Sequence, residues 1–292
     1  MKPHTADEHD RGLHHDLKVL LHRRRALGLL ASTGSAAILA ACSDGADPAA
    51  SVASTGSSAA STGTGSSSSG TSAASCTTVP AETAGPYPAD GSNTANGSLA
   101  NVLVQTGVVR TDIRSSFGSQ SGTAGGVTLV LTLALVNVNA SCAPLAGYAV
   151  YLWHCDANGQ YSVYDLPGQN YLRGVAITDQ NGQVSFTTVF PGCYAGRYPH
   201  MHFEVYPSLA AATVFSNRRL VSQLAMPENY CTLVYNSLAA YGSSISRFAQ
   251  VSIGSDNVFA DNSVAQISAQ TPAMSGSPFT SLTGAATIGL AV

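Results

Sequence analysis

The chain has 292 residues, of which 45% are hydrophobic and 10% are charged, and its formal net charge is -3 at pH 7. This length is enough for one large domain or two small ones. Because basic groups are so few, the sequence offers no footprint for nucleic acid, and nucleic-acid partners are excluded.

Residues 1–42 have the features of an export signal. Arg23, Arg24 and Arg25 precede a short apolar segment, which is the pattern of a twin-arginine signal. The segment ends in a small-residue run that resembles a bacterial lipobox and predicts a lipid on Cys42. The alternative is an uncleaved anchor, but the run is shorter than the about 20 residues of a spanning helix. The sequence therefore predicts a periplasmic or cell-surface lipoprotein that meets the membrane only through its N-terminal lipid.

Residues 43–75 consist almost wholly of Ser, Gly, Ala and Thr. Such a segment buries too little apolar surface to offset its ordering entropy, so we expect a flexible linker. Beyond it, the chain contains no lysine and three histidines, His154, His200 and His202. These few titratable groups are therefore informative about function.

Six cysteines are present, and lipidation of Cys42 would leave five for pairing. An exported protein can hold at most two disulfides among them, and the sequence does not fix which. The five are Cys76, Cys142, Cys155, Cys193 and Cys231. For Cys155 and Cys193 two alternatives stay open, a bridge between them or two buried thiols.

Short β-rich segments separated by turn signals follow from residue 76 onward. The predicted strands cover residues 102–104, 127–138, 148–153, 175–178, 184–189 and 200–205, with closing strands at 251–253, 258–259 and 285–292. Two Asn-Gly pairs, at 158–159 and 181–182, supply the positive φ of tight hairpins. Residues 207–220 and 227–241 are expected to form loops with short helices. This pattern predicts an all-β fold, an antiparallel β-sandwich in one domain over residues 76–292.

The segment 189–205 reads VFPGCYAGRYPHMHFEV and contains most of the candidate site residues. If it is a strand, His200 and His202 leave the same face with Cα atoms about 6.5 to 7 Å apart, which suits two imidazoles on one metal ion. The alternative is that both rings make only local hydrogen bonds. Tyr194, on the same segment, and Tyr161, just after the first Asn-Gly turn, add two phenols to the pair.

These residues resemble the motifs of intradiol ring-cleavage dioxygenases, non-haem iron enzymes that open catechols between the two hydroxyl-bearing carbons. The matching segments occur in the family's order over nearly all of residues 80–292. They include ETAGPY at 82–87, GVVRTDIR at 107–114, DANGQY at 156–161, LRG at 172–174, PGCYAGRYPHMH at 191–202 and DNVFAD at 256–261. Two tyrosines combined with His-x-His are the specific part of this resemblance.

The resemblance implies a prealbumin-like sandwich in which one ferric ion is bound by Tyr161, Tyr194, His200 and His202. Phenolate oxygen is a hard anionic donor that favours Fe(III), and the cation would let tyrosines ionise far below their usual pKa of about 10. Tyr194 corresponds to the displaceable ligand, which would leave the metal and take up a substrate proton. Arg197 corresponds to the family's active-site arginine, whose charge would stabilise negative charge on the substrate. The alternative for Arg197 is a surface position in a loop.

The implied function is cleavage of a catechol with O2 to a muconate-type diacid, and a homo-oligomer is compatible with it. A different class of function is a catalytically inactive, tethered β-sandwich that binds a ligand, since fold alone does not settle function. A cupin-like enzyme would need a further His or Glu in ligand spacing. We expect His154 to be a structural histidine. Tyr198 is expected to pack, although it could line the pocket, and Tyr87 is either at the pocket mouth or structural.

Overall fold

The computed structural model describes residues 76–292, and short strands dominate this part of the chain. The export signal and the lipidation site at Cys42, both predicted within residues 1–42, and the linker predicted for 43–75 lie outside the described residues. No helix in the described part is both long and apolar enough to cross a bilayer.

The strands are β1 (Asp90–Ala95), β2 (Ser98–Asn101), β3 (Thr128–Asn137), β4 (Ala143–Pro144), β5 (Ala149–Trp153), β6 (Arg173–Ile177), β7 (Gln183–Val189), β8 (His200–Tyr206), β9 (Leu220–Ala225), β10 (Ala273–Ser277) and β11 (Ser281–Leu290). The α-helices are α1 (Glu228–Tyr235), α2 (Gly242–Phe248) and α3 (Val264–Gln270). Short 3-10 helices cover Val138–Ala140, Leu209–Ala211, Phe215–Asn217, Ala239–Tyr241 and Ile253–Ser255. The mixed segments 207–220 and 227–241 thus contain short helices, as predicted.

The strands form one hairpin and two larger sheets. The hairpin pairs β1 with β2; a five-stranded sheet has the order β10-β11-β3-β4, with β7 also paired to β3; and a four-stranded sheet has the order β6-β5-β8-β9. All pairings are antiparallel except β3 with β11, which run parallel over nine residue pairs. The prediction of a purely antiparallel arrangement is therefore wrong for β11. No hairpin turn joins it to β3, so a turn does not impose the direction of the pairing.

The two larger sheets share a hydrophobic core, to which β3 contributes every second side chain. Leu129, Leu131, Leu133 and Leu135 of β3 are fully buried, and the residues between them are half-buried. They belong to one core cluster with Val150 and Leu152 of β5, Phe186 of β7 and Phe203 of β8. Full burial of each of these side chains stabilises the fold by about 1.5 to 3 kcal/mol.

Strand β8 is buried along its whole length, unlike β3. Met201, Phe203 and Val205 face the shared core, so His200 and His202 face the opposite side of the sheet. There Trp153 of β5 stands directly across from His202 in the strand register. The fold thus places both histidines in a dry, rigid part of the protein.

Three of the predicted strands are wrong. Residues 102–104 form a turn in which the Leu103 N–H donates to the Asn101 side chain, and Ile253 begins a 3-10 helix capped by Ser252. Residues 258–259 also form a turn, because both of their N–H groups donate to Asp256 Oδ1. Local side-chain acceptors thus override the β propensity of these residues. Strands β1, β2, β4, β9 and β10 were not predicted.

One disulfide joins Cys76 to Cys142, which lie 66 residues apart in sequence. Cys155, Cys193 and Cys231 are buried free thiols. Of the two alternatives for Cys155 and Cys193, the structure has buried thiols: the first donates to the Gly192 carbonyl at 3.4 Å, and burial raises the pKa of the second to about 11.

His154 follows β5 and is a satisfied structural histidine, as expected. Its Nδ1 donates to the Cys155 carbonyl at 2.7 Å, so its Nε2 accepts from the Thr188 hydroxyl at 2.7 Å. Only 1% of the residue is exposed, and burial lowers its pKa from 6.5 to about 4. The imidazole is therefore neutral in the folded protein.

We expect His154 to make the protein acid-sensitive between pH 6.5 and about 4. Above this window the ring is neutral in both states; below pH 6.5 the unfolded chain binds a proton that the folded protein does not, so unfolding is favoured. The full effect is about 3 kcal/mol in the free energy of unfolding. Urea unfolding at pH 7 and pH 4.5 should show a smaller acid-induced loss for His154→Gln than for the unsubstituted protein. Equal losses would contradict this role.

Candidate metal centre

Neighbouring backbone and rings hold the two histidines of β8 in place. The His202 ring stacks on the Trp153 indole, with centroids 4.9 Å apart and an interplanar angle of 7°. His200 Nδ1 lies 2.5 Å from the Tyr198 carbonyl oxygen. Because a carbonyl only accepts, Nδ1 carries the proton and His200 Nε2 keeps a free lone pair. The fold thus leaves this nitrogen ready to bind a cation.

Three donor atoms converge on one point. His200 Nε2 lies 3.0 Å from His202 Nε2 and 3.1 Å from the Tyr194 hydroxyl oxygen. Two ligands at about 2.1 Å from a shared ion and at right angles to each other stand about 3 Å apart. The observed separations therefore fit a common metal ion.

Tyr161 brings a second phenol to the same point. Its ring lies edge-on to Tyr194 at 5.8 Å and to His202 at 6.2 Å, and Tyr87 stacks on it at 4.6 Å. The Tyr161 hydroxyl is buried and makes no hydrogen bond of ordinary geometry to a described residue, although it lies close enough to Tyr194 for each phenol to shift the pKa of the other. Buried tyrosine hydroxyls usually find a partner, so this oxygen is what a bound cation would satisfy. The structure therefore brings the four predicted ligands together.

Burial keeps all four groups uncharged. It lowers the pKa of His200 to about 3 and that of His202 well below its usual value. It raises the pKa of Tyr194 to about 12 and that of Tyr161 well above its usual range. A cation bound at this point would lower the pKa of both tyrosines, because its positive charge favours the phenolate over the phenol.

The donor set itself fits a hard, oxidised cation. Within residues 76–292 no group of three or more His, Cys, Asp or Glu is arranged to hold a metal ion. The donors at this centre are instead two imidazoles and two phenols, and two phenolates would supply two negative charges. Such a set suits Fe(III) better than Fe(II), which is typically bound by two His and one carboxylate.

Arg197 is buried beside this centre, so the alternative of a surface arginine is wrong. Only 5% of the residue is exposed, and two of its nitrogens donate to the Asp256 carboxylate at 2.9 and 3.2 Å. Nη2 also donates to Gln223 Oε1 at 2.7 Å. The positive charge acts on the site, because it lowers the pKa of Tyr194 and of Tyr161 against the larger effect of burial.

Asp256 and Gln223 are the supporting residues for which the sequence predicted no role. Asp256 accepts from Arg197 and from the Tyr198 N–H at 2.7 Å, and although burial raises its pKa, Arg197 outweighs burial and the net pKa is lowered. Gln223 stands opposite His202 in the register of β8 and β9 and donates to the Thr83 carbonyl at 2.8 Å. The matching segment at 256–261 was the available signal for Asp256, whereas no motif contains Gln223.

Tyr198 and Tyr87, for which the sequence left two roles open, differ in their surroundings. Tyr198 packs against Phe248 and Phe259, at 5.8 and 6.4 Å between ring centroids, which fits the packing role. Tyr87 stacks on Tyr161 and also lines a cavity of about 220 Å³ beside Tyr194. Arg173 holds this loop by donating to the Tyr87 carbonyl at 2.9 Å. Tyr87 therefore lies at the mouth of the site.

Gly159 is required where the two tyrosine-bearing loops meet. Its φ is +80°, and a Cβ there would lie 3.1 Å from Tyr194 Cβ, 3.1 Å from Arg247 Nη1 and 3.2 Å from the Cys193 carbonyl oxygen. Gly196 is a matched control: its φ is +83°, but a Cβ there would meet nothing within 4 Å.

We expect Gly159→Ala and Gly196→Ala each to lower the free energy of unfolding by about 1 to 2 kcal/mol, because both positions have a left-handed backbone. Only Gly159→Ala should in addition displace Tyr194 and lower turnover. Unfolding curves and steady-state rates for both variants check this. If the two variants keep the same turnover, Gly159 does not position Tyr194.

Comparisons with known proteins relate this chain to dioxygenases. A family model described as Dioxygenase matches residues 110–228, a range that contains the four candidate ligands and Arg197. An intradiol ring-cleavage dioxygenase from Tetranychus urticae is 24% identical, with a TM-score of 0.54 over 74% of this chain and 95% of that chain. A second solved dioxygenase structure is also 24% identical, with a TM-score of 0.55 over 74% and 94% of the two chains. The family model thus relates residues 110–228 to dioxygenases, and the two solved structures show that the chain shares the fold of an intradiol ring-cleavage dioxygenase.

Proposed function

We propose that this protein is a non-haem Fe(III) dioxygenase that cleaves a catechol between its two hydroxyl-bearing carbons, using O2, to a muconate-type diacid. This proposal rests on one observation: His200 Nε2 lies within 3.1 Å of both His202 Nε2 and the Tyr194 hydroxyl oxygen, and the Tyr161 ring stands edge-on to Tyr194 and His202. The match of residues 110–228 to the dioxygenase family model supports the reaction class, a dioxygenase. The donor set, two phenols and two imidazoles, supports the choice of Fe(III).

A ferric ion held by these residues would supply the Lewis acidity that draws electron density from a catechol and makes its ring reactive toward O2. Tyr194 is the half-buried member of the set and lines the cavity, and in this proposal its phenolate takes up a substrate proton. Tyr161, His200 and His202 are buried and hold their positions. Arg197, fixed by Asp256, provides a positive charge that stabilises an anionic substrate in this dry site.

Oxygen uptake by the purified, Fe(III)-loaded full chain tests this proposal. With catechol we expect one O2 consumed per ring opened and an acidic product that has lost the aromatic absorbance. Binding of catechol without oxygen uptake would overturn the proposal and favour the inactive ligand-binding module.

We also propose that the protein is exported by the twin-arginine route and anchored through a lipid on Cys42. That route carries folded, metal-loaded proteins, which suits a site built from distant segments. Replacing Arg23, Arg24 and Arg25 with Lys should remove the protein from the membrane fraction of lysed cells. If the substituted protein remains in the membrane fraction, this proposal is wrong.

The architecture proposed here is a prealbumin-like sandwich. Its support is the shared core cluster, to which β3 and β7 of one sheet and β5 and β8 of the other contribute. A crystal structure of residues 76–292 would test it through the angle between the two sheets.

A further inference from the structure

The cavity beside Tyr194 has both polar and apolar walls, and Arg247 is the one cationic side chain among its lining residues. Its volume is about 220 Å³, and Arg247 and Asp165 lie on its walls together with Gln160. Arg247 comes from α2, outside the segments that carry the candidate ligands. A substrate whose ring approaches Tyr194 would bring its substituents into this cavity.

Arg247 is fixed in position but is not neutralised. Its Nη1 donates to the Asn158 carbonyl at 2.9 Å and to the Cys193 carbonyl at 3.2 Å, so it links the loop before Tyr161 to the loop before Tyr194. Within residues 76–292, only its Nη1 makes hydrogen bonds, so Nε and Nη2 have no partner, and Arg247 forms no ion pair with a carboxylate. By contrast, three other arginines of this part of the chain pair with acids, namely Arg114, Arg197 and Arg218.

We propose that Arg247 binds a carboxylate carried on the catechol ring and is a specificity-determining residue for acidic catechols. The inference rests on the proposed function. A guanidinium presents two parallel N–H groups in the geometry that a carboxylate accepts, and here those groups are unused. Asp165 would repel an anion on its side of the cavity, so the carboxylate lies on the Arg247 side.

The test compares 3,4-dihydroxybenzoate with catechol, which lacks the carboxylate. Anaerobic calorimetry of the iron-loaded full chain gives the dissociation constant of each ligand, and oxygen uptake gives turnover separately. We expect Arg247→Gln to reduce the binding preference for the acid over catechol about tenfold. Arg247→Lys should retain part of it, because a charge without the planar fork remains. Arg219→Gln removes an exposed arginine and should leave the preference unchanged.

The outcomes separate the two proposals. If Arg247→Gln weakens both ligands equally, Arg247 only clamps the loops and the inference is overturned. An equal reduction of the preference by Arg219→Gln would also overturn it, since the effect would then come from net charge. If the preference depends on Arg247 but no oxygen is consumed, the binding inference stands and the proposed reaction fails.

Discussion

Replacing Tyr161 with phenylalanine should stabilise the metal-free protein and, at the same time, abolish iron-dependent colour and turnover. The Tyr161 hydroxyl is buried and makes no hydrogen bond of ordinary geometry to a described residue, and a buried hydroxyl without such a bond costs about 1 to 3 kcal/mol. Phenylalanine fills the same space without that cost, so the free energy of unfolding without metal should rise by about 1 kcal/mol. Loss of a phenolate should lower turnover by at least about 100-fold.

A matched control is available in Tyr241, which is also fully buried. Its hydroxyl donates to the Phe190 carbonyl at 2.8 Å and accepts from the Val127 N–H at 3.0 Å. Tyr241→Phe should therefore destabilise the protein by about 1 to 3 kcal/mol. Urea unfolding without metal, iron content and the visible spectrum measure both variants. A Tyr161→Phe protein that keeps its iron, colour and turnover would remove Tyr161 from the centre.

Asp256→Asn should be strongly destabilising, because it leaves the Arg197 charge buried without a counterion. Only 2% of Asp256 and 5% of Arg197 are exposed. Removing one partner of such a pair costs about 3 to 5 kcal/mol, whereas removing both is often close to neutral. The double variant Asp256→Asn with Arg197→Met should therefore recover much of the stability lost in the single variant, although not the turnover.

The exposed pair Arg114–Asp112 provides the control for Asp256. Its side chains are 36% and 52% exposed, so Asp112→Asn should cost no more than about 1 kcal/mol. Urea unfolding of the single and double variants gives the interaction energy. A double variant as unstable as the sum of its single variants would show that Arg197 and Asp256 act independently.

The spacing of residues within single strands and turns was sufficient to predict much of the site. The alternation in β8 places His200 and His202 on one face, and the Asn-Gly turn brings the chain back at Tyr161. The pairing of Arg197 with Asp256 lies beyond such reasoning, because these residues are 59 positions apart and meet only in the tertiary structure. The Asp256 carboxylate also accepts from the N–H groups of residues 258 and 259, which is why these residues form a turn and not the predicted strand.

The parallel pairing of β3 with β11 was also beyond local pattern. The strand itself was predicted in part, at 285–292, because its residues are apolar. Its direction and neighbour depend on how the chain returns from α3 and β10, and no motif in that stretch encodes this. Long-range topology, rather than strand formation, is thus what the sequence left undetermined.

Anomalous diffraction at the iron edge, from crystals of the iron-loaded protein, tests the central claim most directly. We predict one peak within about 2.3 Å of four atoms, Oη of Tyr161 and Tyr194 and Nε2 of His200 and His202. No peak at this point, or a peak near the histidines with the Tyr161 oxygen more than about 4 Å away, would contradict it.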